Sequence, residues 1–167
     1  MIEKPAAYLD RDGVINYDYG YVYKLKNFKF RPGVIRGLQL LKKKGFYIFI
    51  VTNQSGIARG IFKEKDFLKL HDQINQKLKR KKISFDEIKF SPFLPNGKIK
   101  KYRKTSKTRK PGNLMIMQLK KKWDVNLKKS FMIGDKESDK ICAKKSNLYF
   151  EYATKNFYTQ IKKILKS

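Results

Sequence analysis

The chain has 167 residues, 41% hydrophobic and 33% charged, which suits one globular domain over residues 1–167 and argues against disorder. Its single cysteine excludes an intrachain disulfide and a cysteine-built zinc site, and no apolar run reaches membrane-spanning length, so a cytoplasmic protein with no membrane partner is expected. The net charge of +27 invites a nucleic-acid reading, but lysine outnumbers arginine and is spread along the whole chain, so the charge is read as compositional bias plus attraction to small anions.

Residues 6–9 are a short apolar run ending on Asp10 and predict a buried strand. A helix is predicted from Pro32-Gly33-Val34, with Val34, Ile35, Leu38 and Leu41 at helical spacing, lysines in its last turn and Gly45 as a left-handed stop. Residues 47–51 predict a second buried strand, ending at Thr52-Asn53. The next helix covers residues 64–80, with Phe67, Leu70, Ile74 and Leu78 on one face. Residues 88–90 read as a third strand. Residues 91–109 lack periodicity, hold Pro92, Pro95, Asn96 and Gly97, and read as a long loop of the kind that is often functional. A helix is expected from Pro111, a strand over 131–133 ending at Gly134-Asp135, a helix over 140–145, an extended segment over 148–152 and a last helix over 157–165.

Strands alternating with helices imply an α/β fold, a parallel sheet with helices on both faces. Ligands bind such sheets beyond the carboxyl ends of the strands. The polar clusters fall at those ends: Asp10 and Asp12, then Thr52, Asn53 and Gln54, then Asp135 and Asp139.

These residue types suit one chemistry. A carboxylate nucleophile is repelled by a phosphate monoester dianion, and a divalent cation touching both relieves the repulsion. Mg²⁺ prefers oxygen ligands, which the Asp10 and Asp135 side chains and the Asp12 carbonyl supply. Asp10 would attack phosphorus, and Asp12 would protonate the leaving oxygen and later activate water. The Thr52 hydroxyl and Lys110 ammonium are suited to holding the transferring oxygens. Each feature alone is weak, because Asp-x-Asp is commonly a turn and Gly-Asp before a helix commonly a cap. Their order at successive strand ends carries the reading.

The ordered segments Leu9-Asp10-Arg11-Asp12-Gly13-Val14-Ile15, Val51-Thr52-Asn53-Gln54-Ser55-Gly56, Arg109-Lys110-Pro111 and Gly134-Asp135-Lys136-Glu137-Ser138-Asp139 resemble the haloacid dehalogenase superfamily. Within it the chain is similar to the D-glycero-D-manno-heptose 1,7-bisphosphate 7-phosphatases and the histidinol-phosphate phosphatases. Asp18-Tyr19-Gly20-Tyr21-Val22 and Gly56-Ile57-Ala58-Arg59-Gly60 favour the heptose branch. The resemblance implies a Rossmann-like fold without a large cap domain, Mg²⁺ held by Asp10, Asp12 and Asp135 with Lys136 beside it, and an aspartyl-phosphate on Asp10. It also implies a small sugar-phosphate substrate met by Asp18, Tyr19, Gly20, Tyr21, Asn53, Gln54, Ser55, Arg59 and Arg109, with Arg109 as a clamp for a second phosphate. A monomer is expected. Histidinol phosphate is an alternative substrate, and a basic nucleic-acid-binding protein or DNA 3′-phosphatase is the alternative of another class.

Many relatives implied by the resemblance bind structural zinc through a Cys-x-His and a Cys-x-Cys pair in the loop before Arg-Lys-Pro. Here those stretches read Ser91-Pro92-Phe93 and Ser106-Lys107-Thr108, so no zinc is expected and packing by Phe93, Leu94 and Tyr102 is to hold the loop. His71 resembles no catalytic position and is assigned a surface or packing role. Cys142 and Trp123 are read as core.

Overall fold

The computed structural model describes residues 2–167. The apolar runs become five parallel strands: β1 (Ala6–Leu9), β2 (Tyr47–Asn53), β3 (Glu87–Ser91), β4 (Phe131–Gly134) and β5 (Tyr149–Tyr152), arranged β3-β2-β1-β4-β5. Five helices connect or follow them: α1 (Val34–Lys43), α2 (Glu64–Lys79), α3 (Leu114–Trp123), α4 (Glu137–Lys145) and α5 (Phe157–Ile164).

Both faces of the central strands β1, β2 and β4 are covered, which is why these read as apolar runs, whereas the edge strands β3 and β5 carry polar residues. Side chains still alternate. Ala7, Leu9, Ile48, Ile50 and Ile133 face one core with Leu38, Leu70, Ile74 and Phe157 from α1, α2 and α5. Ala6, Tyr8, Phe49, Val51 and Met132 face the other core with Met115, Ile116, Leu119 and Cys142 from α3 and α4. Burying each large aliphatic side chain contributes about 1.5–3 kcal/mol. Gly45 ends α1 at φ 78°, the left-handed stop that its sequence predicts.

The chain leaves β1 toward β2 and β3, then returns to the opposite side of β1 with β4. The order therefore reverses beside the carboxyl end of β1, where a crevice forms between diverging connections. Asp10 follows β1, Thr52 and Asn53 end β2, Ser91 ends β3 and Asp135 follows β4, so every predicted polar cluster meets at this one edge.

Two boundaries differ from expectation. Helix α3 starts at Leu114 rather than at Pro111, because residues 107–113 first fold into a turn in which the Gly112 N–H donates to the Arg109 carbonyl (2.8 Å) and the Leu114 N–H to the Lys107 carbonyl (3.2 Å). Helix α4 starts earlier than its apolar pattern suggests, at Glu137, because the Asp139 carboxylate accepts from the Asp135 and Lys136 N–H groups (both 3.1 Å) and caps the first turn. No helix among the described residues is long and apolar enough to cross a membrane.

Candidate active site

Lys110 stands at the centre of the crevice floor, 3% exposed. Its ammonium has three N–H donors, and all three are taken: by Asp10 Oδ1 (3.0 Å), Asp139 Oδ1 (2.6 Å) and the Val51 carbonyl (2.9 Å). Burial alone would lower the lysine pKa, but the two carboxylates hold it above the usual lysine range. Asn53 fixes the backbone of Lys110 with a two-way clasp: its Nδ2 donates to the Lys110 carbonyl (3.0 Å) and its Oδ1 accepts from the Lys110 N–H (2.9 Å).

Asp10 Oδ1 also accepts from the Arg11 N–H (2.9 Å), while Oδ2 receives no hydrogen bond among the described residues. Burial, reinforced by the Asp139 and Asp135 carboxylates and opposed by Lys110, pushes the Asp10 carboxyl up to about 7. The Lys110 ammonium thus serves two of three crowded acids, Lys136 acts on the third, Asp135, and one carboxylate oxygen from each of Asp10, Asp135 and Asp139 lies within 4.8 Å of the others. Asp135 is raised as well, first by burial.

This oxygen-only set fits a hard divalent cation. Both Asp139 oxygens are committed to Lys110 and the α4 cap, so Asp139 organises the site, a role the sequence reading missed. Its signal was the four-residue spacing from Asp135, which lets it cap the helix and still reach Lys110. Asp135 Oδ1, by contrast, is buried without a partner, an atom that calls for a cation or water. No backbone N–H among the described residues bonds to the Asp12 carbonyl. Gly13 has φ 85°, and a Cβ there would collide with the Asp135 carboxylate, so the loop can close over that acid only with glycine.

Asp12 is clamped separately. Its Oδ1 accepts from Arg11 Nη2 (2.8 Å), Arg11 Nε (3.2 Å) and Asn16 Nδ2 (3.0 Å), and its Oδ2 from Gln54 Nε2 (3.1 Å). Gln54 Nε2 also donates to the Thr52 hydroxyl (2.9 Å), linking the end of β2 to Asp12.

Above these groups opens a cleft of about 650 Å³. Asp18, Gly20, Tyr21, Asn53, Gln54, Ser55, Arg59, Arg109, Lys136 and Ser138 line it with Asp10, Asp12, Asp139 and Lys110. Thr52, 1% exposed, and Asp135 are not among the lining residues, though an Asp135 carboxylate oxygen lies within 4.8 Å of those of Asp10 and Asp139. Tyr19 lies outside the lining, 62% exposed and stacked on Tyr17. Among the described residues neither Arg59 nor Arg109 makes an ion pair; burial and then the neighbouring Arg59 lower the Arg109 pKa.

The loop that delivers Arg109 and Lys110 is fastened at three points. Leu94 is buried, with its N–H on the Tyr102 carbonyl (3.1 Å). Arg103 Nε donates to the Gly97 carbonyl (2.6 Å). Ser91 and Ser106 both hydrogen-bond the Thr108 hydroxyl, at 2.9 and 2.7 Å.

The profile of the family described as Polynucleotide kinase 3 phosphatase matches residues 13–163. The chain belongs to this family, within the haloacid dehalogenase phosphatases. This phosphatase, a phosphoric monoester hydrolase, is 41% identical over 145 residues to the D-glycero-beta-D-manno-heptose-1,7-bisphosphate 7-phosphatase of Rhodopseudomonas palustris, covering 87% of this chain and 81% of that one. It is 40% identical over 144 residues to the enzyme of that name from Escherichia coli K12, covering 86% and 75%. In fold it resembles the D,D-heptose 1,7-bisphosphate phosphatase of B. bronchiseptica, solved with magnesium and phosphate, at a TM-score of 0.85 and 22% identity over 97% of this chain and 98% of the other.

The raised Asp10 carboxyl gives the phosphatase a pH signature. Between its ordinary value of 3.8 and about 7, the folded metal-free protein keeps a proton that the unfolded chain releases, so this group's contribution to stability is lost as pH rises through that window. The melting temperature of metal-free wild-type protein should therefore fall relative to that of Asp10→Asn between about pH 4 and pH 7. A constant difference across the window would show that Asp10 is not perturbed.

Proposed function

We propose that this phosphatase removes the 7-phosphate of D-glycero-D-manno-heptose 1,7-bisphosphate with Mg²⁺, through an aspartyl-phosphate on Asp10. The observation that carries the reading is a buried carboxylate with one free oxygen, seated beneath a cleft that also holds two guanidinium groups without acidic partners. A substrate with a phosphate at each end suits that arrangement: one group for Asp10, the other for Arg109 with Arg59 beside it. The names of the relatives at about 40% identity favour the heptose over histidinol phosphate.

Asp10, Asp135 and the Asp12 carbonyl would hold the cation, which when bound offsets the negative charge shared by acids and substrate. Asp10 Oδ2 attacks phosphorus and the bond to the sugar oxygen breaks. Asp12 gives that oxygen a proton. Asp12 then takes a proton from water, whose oxygen attacks phosphorus, releasing phosphate and restoring Asp10. Lys110, its three donors spent on Asp10, Asp139 and the Val51 carbonyl, holds Asp10 in place, and Thr52, outside the cleft lining, bonds Gln54, which in turn bonds Asp12. Asp18, Gly20, Tyr21, Asn53, Gln54 and Ser55 shape the sugar pocket, and Tyr19 takes no part.

The loop before Arg109 is read as zinc-free. The hydroxyls of Ser91, Ser106 and Thr108, three of the four positions where the resembling relatives place ligands, bond to one another. Neutral hydroxyls are poor zinc ligands beside thiolate or imidazole.

A DNA 3′-phosphatase is the second reading, favoured by the family's description and the net charge of +27. A phosphate-release panel should show fastest Mg²⁺-dependent turnover on the heptose bisphosphate, with no detectable turnover by Asp10→Asn; preference for a 3′-phosphorylated oligonucleotide would transfer the assignment. Arg109→Ala should raise KM for the bisphosphate about tenfold or more while changing KM for a heptose 7-monophosphate little, as expected when one charged contact of about 1.5–3 kcal/mol is lost. Elemental analysis of purified protein should find no stoichiometric zinc, and one equivalent would refute the zinc-free loop.

A further inference from the structure

We propose that His71 and Arg11 are positioning residues for Asp12, a chain of contacts that runs from α2 to the acid/base carboxylate. The inference rests on the reading of Asp12 as proton donor to the leaving oxygen.

Arg11 is the largest fully buried side chain, at 1% exposure. A buried guanidinium is tolerated only where its donors are met. The fork meets three separate segments: Asp12 through Nε and Nη2, the Val22 carbonyl through Nη2 (2.6 Å), and His71 Nε2 through Nη1 (3.3 Å). The Phe67 ring lies under the guanidinium, 5.7 Å from centroid to Cζ. Arg11 thereby ties Asp12 to the end of the loop that carries Asp18, Gly20 and Tyr21 into the cleft.

His71 explains why the fork keeps its aim. An arginine N–H can only donate, so His71 Nε2 accepts and its proton sits on Nδ1. Burial, with Arg11 alongside, holds the imidazole neutral, with its pKa lowered to about 3. Nδ1 is buried and has no partner among the described residues. An unpartnered N–H at an apolar site lowers stability, and leucine would avoid that loss. Among the described residues the one side-chain hydrogen bond of His71 is to Arg11, and the one carboxylate that the Arg11 guanidinium touches is Asp12. A polar residue kept in place at a loss, with a single contact leading to a catalytic acid, points to function.

A carboxylate turns readily about χ2 unless held. Arg11 and Asn16 take Oδ1 of Asp12, a residue that lines the cleft, and Oδ2 accepts only from Gln54 among the described residues. An acid must present its oxygen within hydrogen-bond reach of the leaving group, and displacement by an ångström is costly. Without the His71 acceptor, Nη1 loses its anchor and the fork can rotate away from Asp12.

The test compares kcat/KM for heptose 7-phosphate, whose alkoxide needs a proton to depart, with that for p-nitrophenyl phosphate, whose phenolate does not. The ratio is independent of how much enzyme is folded. In His71→Leu the ratio should fall roughly tenfold, a part of the ~10²–10⁴ supplied by general acid catalysis, with KM for the sugar phosphate nearly constant. His71→Gln, whose amide oxygen can accept from Nη1, should restore most of it. Arg11→Lys, which keeps the charge and loses the fork, should lower the ratio as His71→Leu does, and serves if the leucine variant does not fold. Equal losses on both substrates in these variants, or no rescue by glutamine, would overturn the proposal while leaving Asp12 its role. An unchanged ratio in Asp12→Asn would overturn the acid reading itself, and this inference with it.

Discussion

The site is organised by an imbalance of charge. Lys110 supplies one ammonium to the buried acids Asp10 and Asp139, and Asp135 stands beside them. Removing the ammonium would leave acids buried without a partner, a loss of about 3–5 kcal/mol for a broken buried pair. Keeping it still leaves a surplus of negative charge, seen in the raised carboxyls of Asp10 and Asp135. Such a surplus of carboxylate oxygen suits a divalent cation, whose charge would balance it.

The parallel sheet makes that crowding possible. Strands β1, β2 and β4 are adjacent and end at one edge, so residues separated by about a hundred positions reach a common point. The backbone of each contributor is then held by its own device. Asp139 caps α4 and aims at Lys110 with its other oxygen, Asn53 clasps the Lys110 peptide, and Gly13 lets the first loop pass over Asp135.

Much of this is written in local sequence. The strands could be read because both of their faces are buried, so Ala6–Leu9 and Tyr47–Asn53 appear as apolar runs that stop at polar residues. Asp10, Asp12 and Thr52 stand out in the sequence because they lie at strand ends, and Lys110 because it precedes the helix after the long loop. What could not be read depends on contacts between distant segments. Asp139 looks like an ordinary helix acid until Lys110 arrives from residue 110. His71 lies on the apolar face of α2 with Phe67, Leu70 and Ile74, and only the fold sets Arg11 against it. Helix α3 starts after the expected Pro111 because proline, favoured in a first helical turn, here lies within the turn of residues 107–113. Tyr19 shares a motif with cleft residues, yet the turn between Asp18 and Gly20 leaves it on the surface.

The clasp between Asn53 and Lys110 has a consequence for how such an enzyme can change. Arg109, which lines the cleft, is bonded directly to Lys110, whose ammonium holds Asp10. Altered preference and intact chemistry therefore share a peptide bond. Single substitutions at position 109 can exchange one side chain for another, but a shift of the backbone there also moves the ammonium away from Asp10. New substrates are reached more safely through the loop at residues 18–21 or through Arg59, which hang from other strands. The wall of the cleft beside Lys110 is therefore bound to the buried acids through the backbone, whereas Arg59 reaches the cleft from the segment after β2.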